Sequence, residues 1–283
     1  MTQPSANRVP DTPLLRYFRK PLFTGPKGKA WGEDRIAEAQ YLLRHPGLLA
    51  ELFDMSANLV EAGYRNYQPF YPQKHVFGIV KGRNHGDLLS ATVDVAARLS
   101  RRDVWDVPDN PELSFRYLDR ELQIARSNPT PSELAAGATL LLDLFLANSS
   151  DRTPILCELK LRKDQCALYA LIQLLTQAAY AATPSQRERL VLFGSKPEFI
   201  LKEAKPDELA RVDLYLLLVE KPDEKPYTDI YPLAIELSEK LIAEPLVGSR
   251  IRRIAWIEAS DDHQNGLTLT KSQFTASKSR RPK

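Results

Sequence analysis

Cysteine is nearly absent from this chain. Its two residues, Cys157 and Cys166, can build neither a disulfide framework nor a four-cysteine zinc site. Histidine is almost as sparse: His45, His75, His85 and His263 stand far apart with no i, i+4 pair, so a histidine zinc site is not expected. No apolar run approaches the roughly 18 residues that cross a bilayer. The longest candidates, LLLDLFLA and LYLLLV, have the length of strands. The opening segment MTQPSANRVPDTP lacks the apolar stretch of an export signal, so the cytoplasm is the expected compartment and no membrane partner is expected.

What is present is ordinary globular material. The chain has 283 residues, 43% apolar and 27% charged, enough for one elaborated domain or two small ones with a real core. Its charge is unevenly placed. The last thirteen residues, KSQFTASKSRRPK, carry five basic side chains and no acid, whereas the other 34 basic and 36 acidic residues leave residues 1–270 at about −2. A solvated end and a phosphate-binding arm built on Lys278, Arg280 and Arg281 are both open readings of that tail.

Four regions follow from the pattern. Residues 1–30 hold five of the 21 prolines and read as a flexible segment. Residues 31–105 read as mainly helical, with apolar stripes through Ile36, Ala39 and Leu43, through Leu49 and Leu52, and over 87–101; a short strand is expected at 75–80. Residues 106–262 read as an α/β core, a mixed central β-sheet flanked by helices. Its expected strands are 122–126, 139–147, 154–161, 189–193, 213–219 and 252–258, with helices at 165–182 and 230–242. A helix before the first strand is sought in 111–119 or in the 33–62 pair. Residues 263–283 read as the basic tail.

The chemistry concentrates between residues 140 and 182. Side chains alternate faces along a strand, so in ILCELKL the apolar Ile155, Cys157, Leu159 and Leu161 share one face and Glu158 and Lys160 share the other. Asp143 stands alone among leucines in the preceding strand, and the polar NSSDR between them predicts a hairpin that brings Asp143 opposite Glu158 and Lys160. An unpaired charge in a buried strand costs several kcal/mol, so an acid inside LLLDLFL asks for a reason. Two carboxylates there suit Mg²⁺, with Mn²⁺ able to substitute, and a lysine beside them suits the charge that builds up in a phosphodiester transition state. The opposing interpretation is a solvated ion pair at a sheet edge. Elsewhere, GPKGKA has the wrong spacing for a phosphate loop, and KGRNHGD reads more simply as a polar turn.

The order Asp143, hairpin, Glu158-x-Lys160, then a helix bearing Gln173 resembles the PD-(D/E)xK nuclease superfamily, the restriction-endonuclease-like fold. The resemblance covers about residues 110–195. It departs from the family's Q-x-x-x-Y helix motif, for Gln177 sits at the tyrosine position and Tyr180 follows three residues later. The family's further glutamate, on a helix before the first strand, has four candidates: Glu33, Glu38, Glu112 and Glu121. The resemblance implies an Mg²⁺-dependent endonuclease or exonuclease acting on DNA, with RNA the second choice. Asp143 and Glu158 are the implied metal ligands, Lys160 the catalytic lysine and Gln173 a member of the site. The alternative it leaves open is a non-catalytic subunit of the same fold that binds nucleic acid or protein partners, the latter through the N-terminal region.

Overall fold

The computed structural model describes residues 33–54, 94–122, 142–161, 167–181, 211–220, 230–262 and 266–277. Six strands form one open mixed sheet: β1 (Phe115–Leu122), β2 (Leu142–Asn148), β3 (Pro154–Leu161), β4 (Val212–Glu220), β5 (Ile251–Asp262) and β6 (Gly266–Ala276). The spatial order follows the chain order. β1, β2 and β3 run antiparallel to their neighbours, β3, β4 and β5 run parallel, and β6 turns back along β5. The helices are α1 (Glu33–Arg44), α2 (47–54), α3 (94–99), α4 (Ala167–Ala181), α5 (Ile230–Ala243) and the four-residue α6 (Pro245–Gly248).

Burial explains why these segments take these forms. VDLYLLLVE is apolar on both faces, as a central parallel strand covered on both sides must be, and all of it but Glu220 is buried. On one face Leu156, Leu214, Leu216, Leu218, Ile254 and Trp256 pack in a core shared with α1, α2, α4 and α5. On the other, Ile155, Cys157, Leu159, Tyr215, Leu217 and Ile257 pack with Val95 and Leu99 of α3 and with Trp105. The Trp105 indole N–H donates to the Leu99 carbonyl at 2.8 Å and so closes the end of α3. Helix α4 is ALYALIQLLTQAAYA, free of glycine and proline, and α5 tolerates Pro232 because it falls in the first turn, where no amide partner is lost.

Several expectations need correcting. The first described strand, Phe115–Leu122, begins seven residues before the expected 122, and 111–119 holds no α-helix but a short 3-10 turn (Pro111–Leu113) running into that strand. FRYLDREL carries Arg116, Asp119, Arg120 and Glu121 and a bulge between Tyr117 and Asp119, and such a charged, half-buried strand suits the sheet edge it occupies. Residues 266–276, expected in the basic tail, form β6, where Leu267 and Leu269 are buried against β5. The β5 strand runs to Asp262, four residues past expectation. The strands expected at 75–80 and 189–193 lie outside the described residues, as do 123–126 and residues 87–93 of the expected helix.

Candidate active site

Strand β3 is Pro154–Leu161, as its alternation predicts, and the hairpin from β2 is set by its turn. Asn148 ends β2, and its Oδ1 accepts from the backbone amides of Ser150 and Asp151 and from the Ser150 hydroxyl, while Arg152 takes a positive φ of 63°. This fixes the register: Ala147 opposite Pro154, Phe145 opposite Leu156, Leu144 opposite Cys157. The backbone ladder stops there. One residue further Asp143 stands beside Glu158, and its Oδ2 accepts the Leu159 amide at 2.9 Å. A side chain takes over the bond that the next ladder rung would have made, so the β2–β3 backbone ladder ends at the acids.

Glu158 is 1% exposed yet lies in a polar trio. Its Oε1 accepts from Lys160 Nζ at 2.8 Å. Its Oε2 is buried and, with both acids ionised, finds no donor among the described residues. Burial and then the charge of Asp143 push the Glu158 carboxyl up to about 8, with Lys160 opposing them. Cys157, on the other face, is raised mainly by burial and belongs to the core as expected. The strands β3, β4 and β5 point their C-terminal ends the same way, and Glu158 and Lys160 sit toward that end of β3, level with Leu216 and Leu218 of β4. In open α/β sheets that end is where ligands bind.

The structure therefore brings together Asp143, Glu158 and Lys160. Gln173 stands half-buried on α4 and makes no hydrogen bond to the trio among the described residues, whereas Gln177, one turn on, is wholly buried. Of the four candidate glutamates, Glu112 is exposed in the 3-10 turn, and Glu33 and Glu38 lie on α1. Glu121 lies on β1 between Arg120, opposite Leu144, and Leu122, opposite Leu142, and so holds the register position across from Asp143. Lys278, Arg280 and Arg281 lie outside the described residues.

Among the described residues no group of three or more histidine, cysteine, aspartate or glutamate side chains forms a ligand cluster. The pair Asp143 and Glu158 nevertheless fits a divalent cation. Two acids held close, one with a buried oxygen lacking a donor, are a poor arrangement for a metal-free core and a good one for a hard cation that takes one or two carboxylates and completes its shell with water.

Pattern reading did not find a second ionic cluster at the other end of the sheet. Asp213, fully buried at the start of β4, accepts from Arg252 Nε at 2.8 Å and Nη2 at 2.6 Å, and the Arg253 Nε lies 3.2 Å away. Arg252 also reaches Asp151 in the β2–β3 turn. Burial raises the Asp213 carboxyl, with Arg252 and Arg253 working against it. The available signal was an acid opening an apolar strand, VDLYLLLV, and an arginine pair opening the next, IRRIAW.

No helix among the described residues is long and apolar enough to cross a membrane. No protein-family model, curated protein or solved structure matches this chain.

Proposed function

We propose that this protein is a metal-dependent nuclease on a restriction-endonuclease-like sheet, hydrolysing phosphodiester bonds of DNA, with RNA as the second substrate. One observation carries the reading: a buried Glu158 coupled to Asp143 and to Lys160 where the β2–β3 ladder ends, toward the C-terminal end of a parallel strand. A bound Mg²⁺ would supply Lewis acidity and a more acidic water. Asp143 and Glu158 would hold it, Asp143 being oriented by the Leu159 amide. Lys160 would place its ammonium against the charge that builds on the phosphate. Gln173 on α4 is assigned to positioning beside the site. Lys278, Arg280 and Arg281 supply backbone contacts to the nucleic acid.

The test is cleavage of plasmid DNA by purified protein with Mg²⁺ or Mn²⁺, stopped by EDTA. Lys160→Ala is expected to lose about 10²-fold, the scale of removing one electrostatic donor from a transition state. Cutting at the parental rate by Lys160→Ala would show the lysine assignment to be wrong. A second reading, a non-catalytic subunit of the same fold, is favoured by the near-neutral body, since nucleic-acid binding normally leaves a basic footprint.

A further inference from the structure

We infer that Lys160 is the built-in counter-ion of Glu158 when no metal is bound: its ammonium and a divalent cation compete for that carboxylate, so that loading the metal releases the lysine toward the substrate side. The inference rests on the nuclease reading of Asp143 and Glu158. Its observations are the 2.8 Å contact between Lys160 Nζ and Glu158 Oε1, the burial of Glu158, and the lack, with both acids ionised, of a donor to its Oε2 among the described residues. Asp143 is differently placed, because the Leu159 amide already holds one of its oxygens. Lys160 keeps 19% of its side chain exposed while Glu158 keeps 1%, so the lysine has somewhere to go and the glutamate has not.

The consequence concerns affinity, not only rate. A lysine that served solely to organise the carboxylates would strengthen metal binding. A lysine that stands in for the metal must weaken it, by direct competition and by the repulsion between two cations drawn to one carboxylate, which even in a water-like dielectric amounts to about tenfold in affinity. Binding of Mg²⁺ is measured by calorimetry. Lys160→Met is expected to bind Mg²⁺ at least about tenfold more tightly than the parent. Lys160→Arg, which keeps the charge, is expected to stay near parental affinity, and Glu158→Gln to bind none. A second measurement uses the parent alone and does not depend on any variant folding: amine acylation of Lys160, followed by mass spectrometry, should speed up when Mg²⁺ is added. Saturable Mg²⁺ binding with unchanged or weaker affinity in Lys160→Met, together with acylation indifferent to Mg²⁺, overturns this inference and leaves the nuclease reading standing. No Mg²⁺ binding in either the parent or Lys160→Met overturns both.

Discussion

The two ends of the sheet hold two charge clusters built to opposite rules. At the hairpin end, Asp213 and Asp151 meet Arg252 and Arg253, two charges of each sign; both Asp213 oxygens accept from the Arg252 guanidinium, while the buried Arg253 Nε lies 3.2 Å from Asp213 without a hydrogen bond. At the other end Asp143 and Glu158 meet Lys160, and a buried oxygen is left without a donor among the described residues. Asp213 is level with Ile155, three residues before Glu158 along β3, a rise of about 10 Å. A balanced cluster in a buried place is how a fold satisfies its charges. An unbalanced one at the C-terminal end of parallel strands is what the proposed metal site requires.

The largest test of this contrast is Asp213→Ala. It strands two arginines in a partly buried place and should cost about 3–5 kcal/mol in denaturant unfolding. Glu158→Gln should cost much less or stabilise, since it removes a repulsion. Equal losses from the two would erase the distinction.

Next comes pH. The folded Glu158 carboxyl at about 8 lies above its ordinary value of 4.5, so between those limits the folded state holds a proton that the unfolded chain has lost. Stability from this group is therefore full below about 4.5 and declines as pH rises to 8, by on the order of 5 kcal/mol. Glu158→Gln, which cannot ionise, escapes that decline. Thermal melts of the two proteins should therefore lie close together near pH 4.5 and separate as pH rises, the parent falling below the variant; parallel curves would break the argument.

Smaller effects separate ligand site from structural pair. Asp143→Asn should leave metal-free stability within about 1 kcal/mol of the parent, or raise it, and should abolish the rise in Tm that excess Mg²⁺ gives the parent. A destabilised Asp143→Asn beside a parent indifferent to Mg²⁺ would make the trio a structural pair like its counterpart. Smallest is the effect of removing residues 278–283, with four basic side chains. The logarithmic salt dependence of DNA binding should flatten by at most about 0.9 for each phosphate the shortened chain no longer neutralises, and an unchanged slope would make the tail a bystander.

Much of this was legible because alternation is strict where a strand has one apolar face. Ile155, Cys157 and Leu159 against Glu158 and Lys160 gave β3 residue by residue, and the NSSDR turn gave the hairpin and with it the neighbour of Asp143. The edges were not legible. In β1 the charges of FRYLDREL hide a half-buried strand broken by a bulge, and in β6 the lysine of the terminal segment drew attention away from the LTLT pattern beside it. Glutamine choice on α4 was also beyond pattern reading. Gln173 and Gln177 share a helical face, and only packing shows that Gln177 is the one enclosed. The Asp213 cluster escaped because its partners are distant in sequence and meet only through the parallel register of β4 and β5.

The identity of chain order and sheet order bears on how the protein is made. Among the described strands, each one after β1 finds its partner already synthesised as it leaves the ribosome, and no described pair has to separate to admit a later one. The exposed margin of the growing sheet simply moves outward. A chain interrupted near residue 262 would present the flank of β5, twelve residues long, with Trp256 and Ile257 at its centre, as a template for pairing with other chains. Once paired with β5, β6 replaces that sticky flank with a threonine- and serine-rich margin that water tolerates.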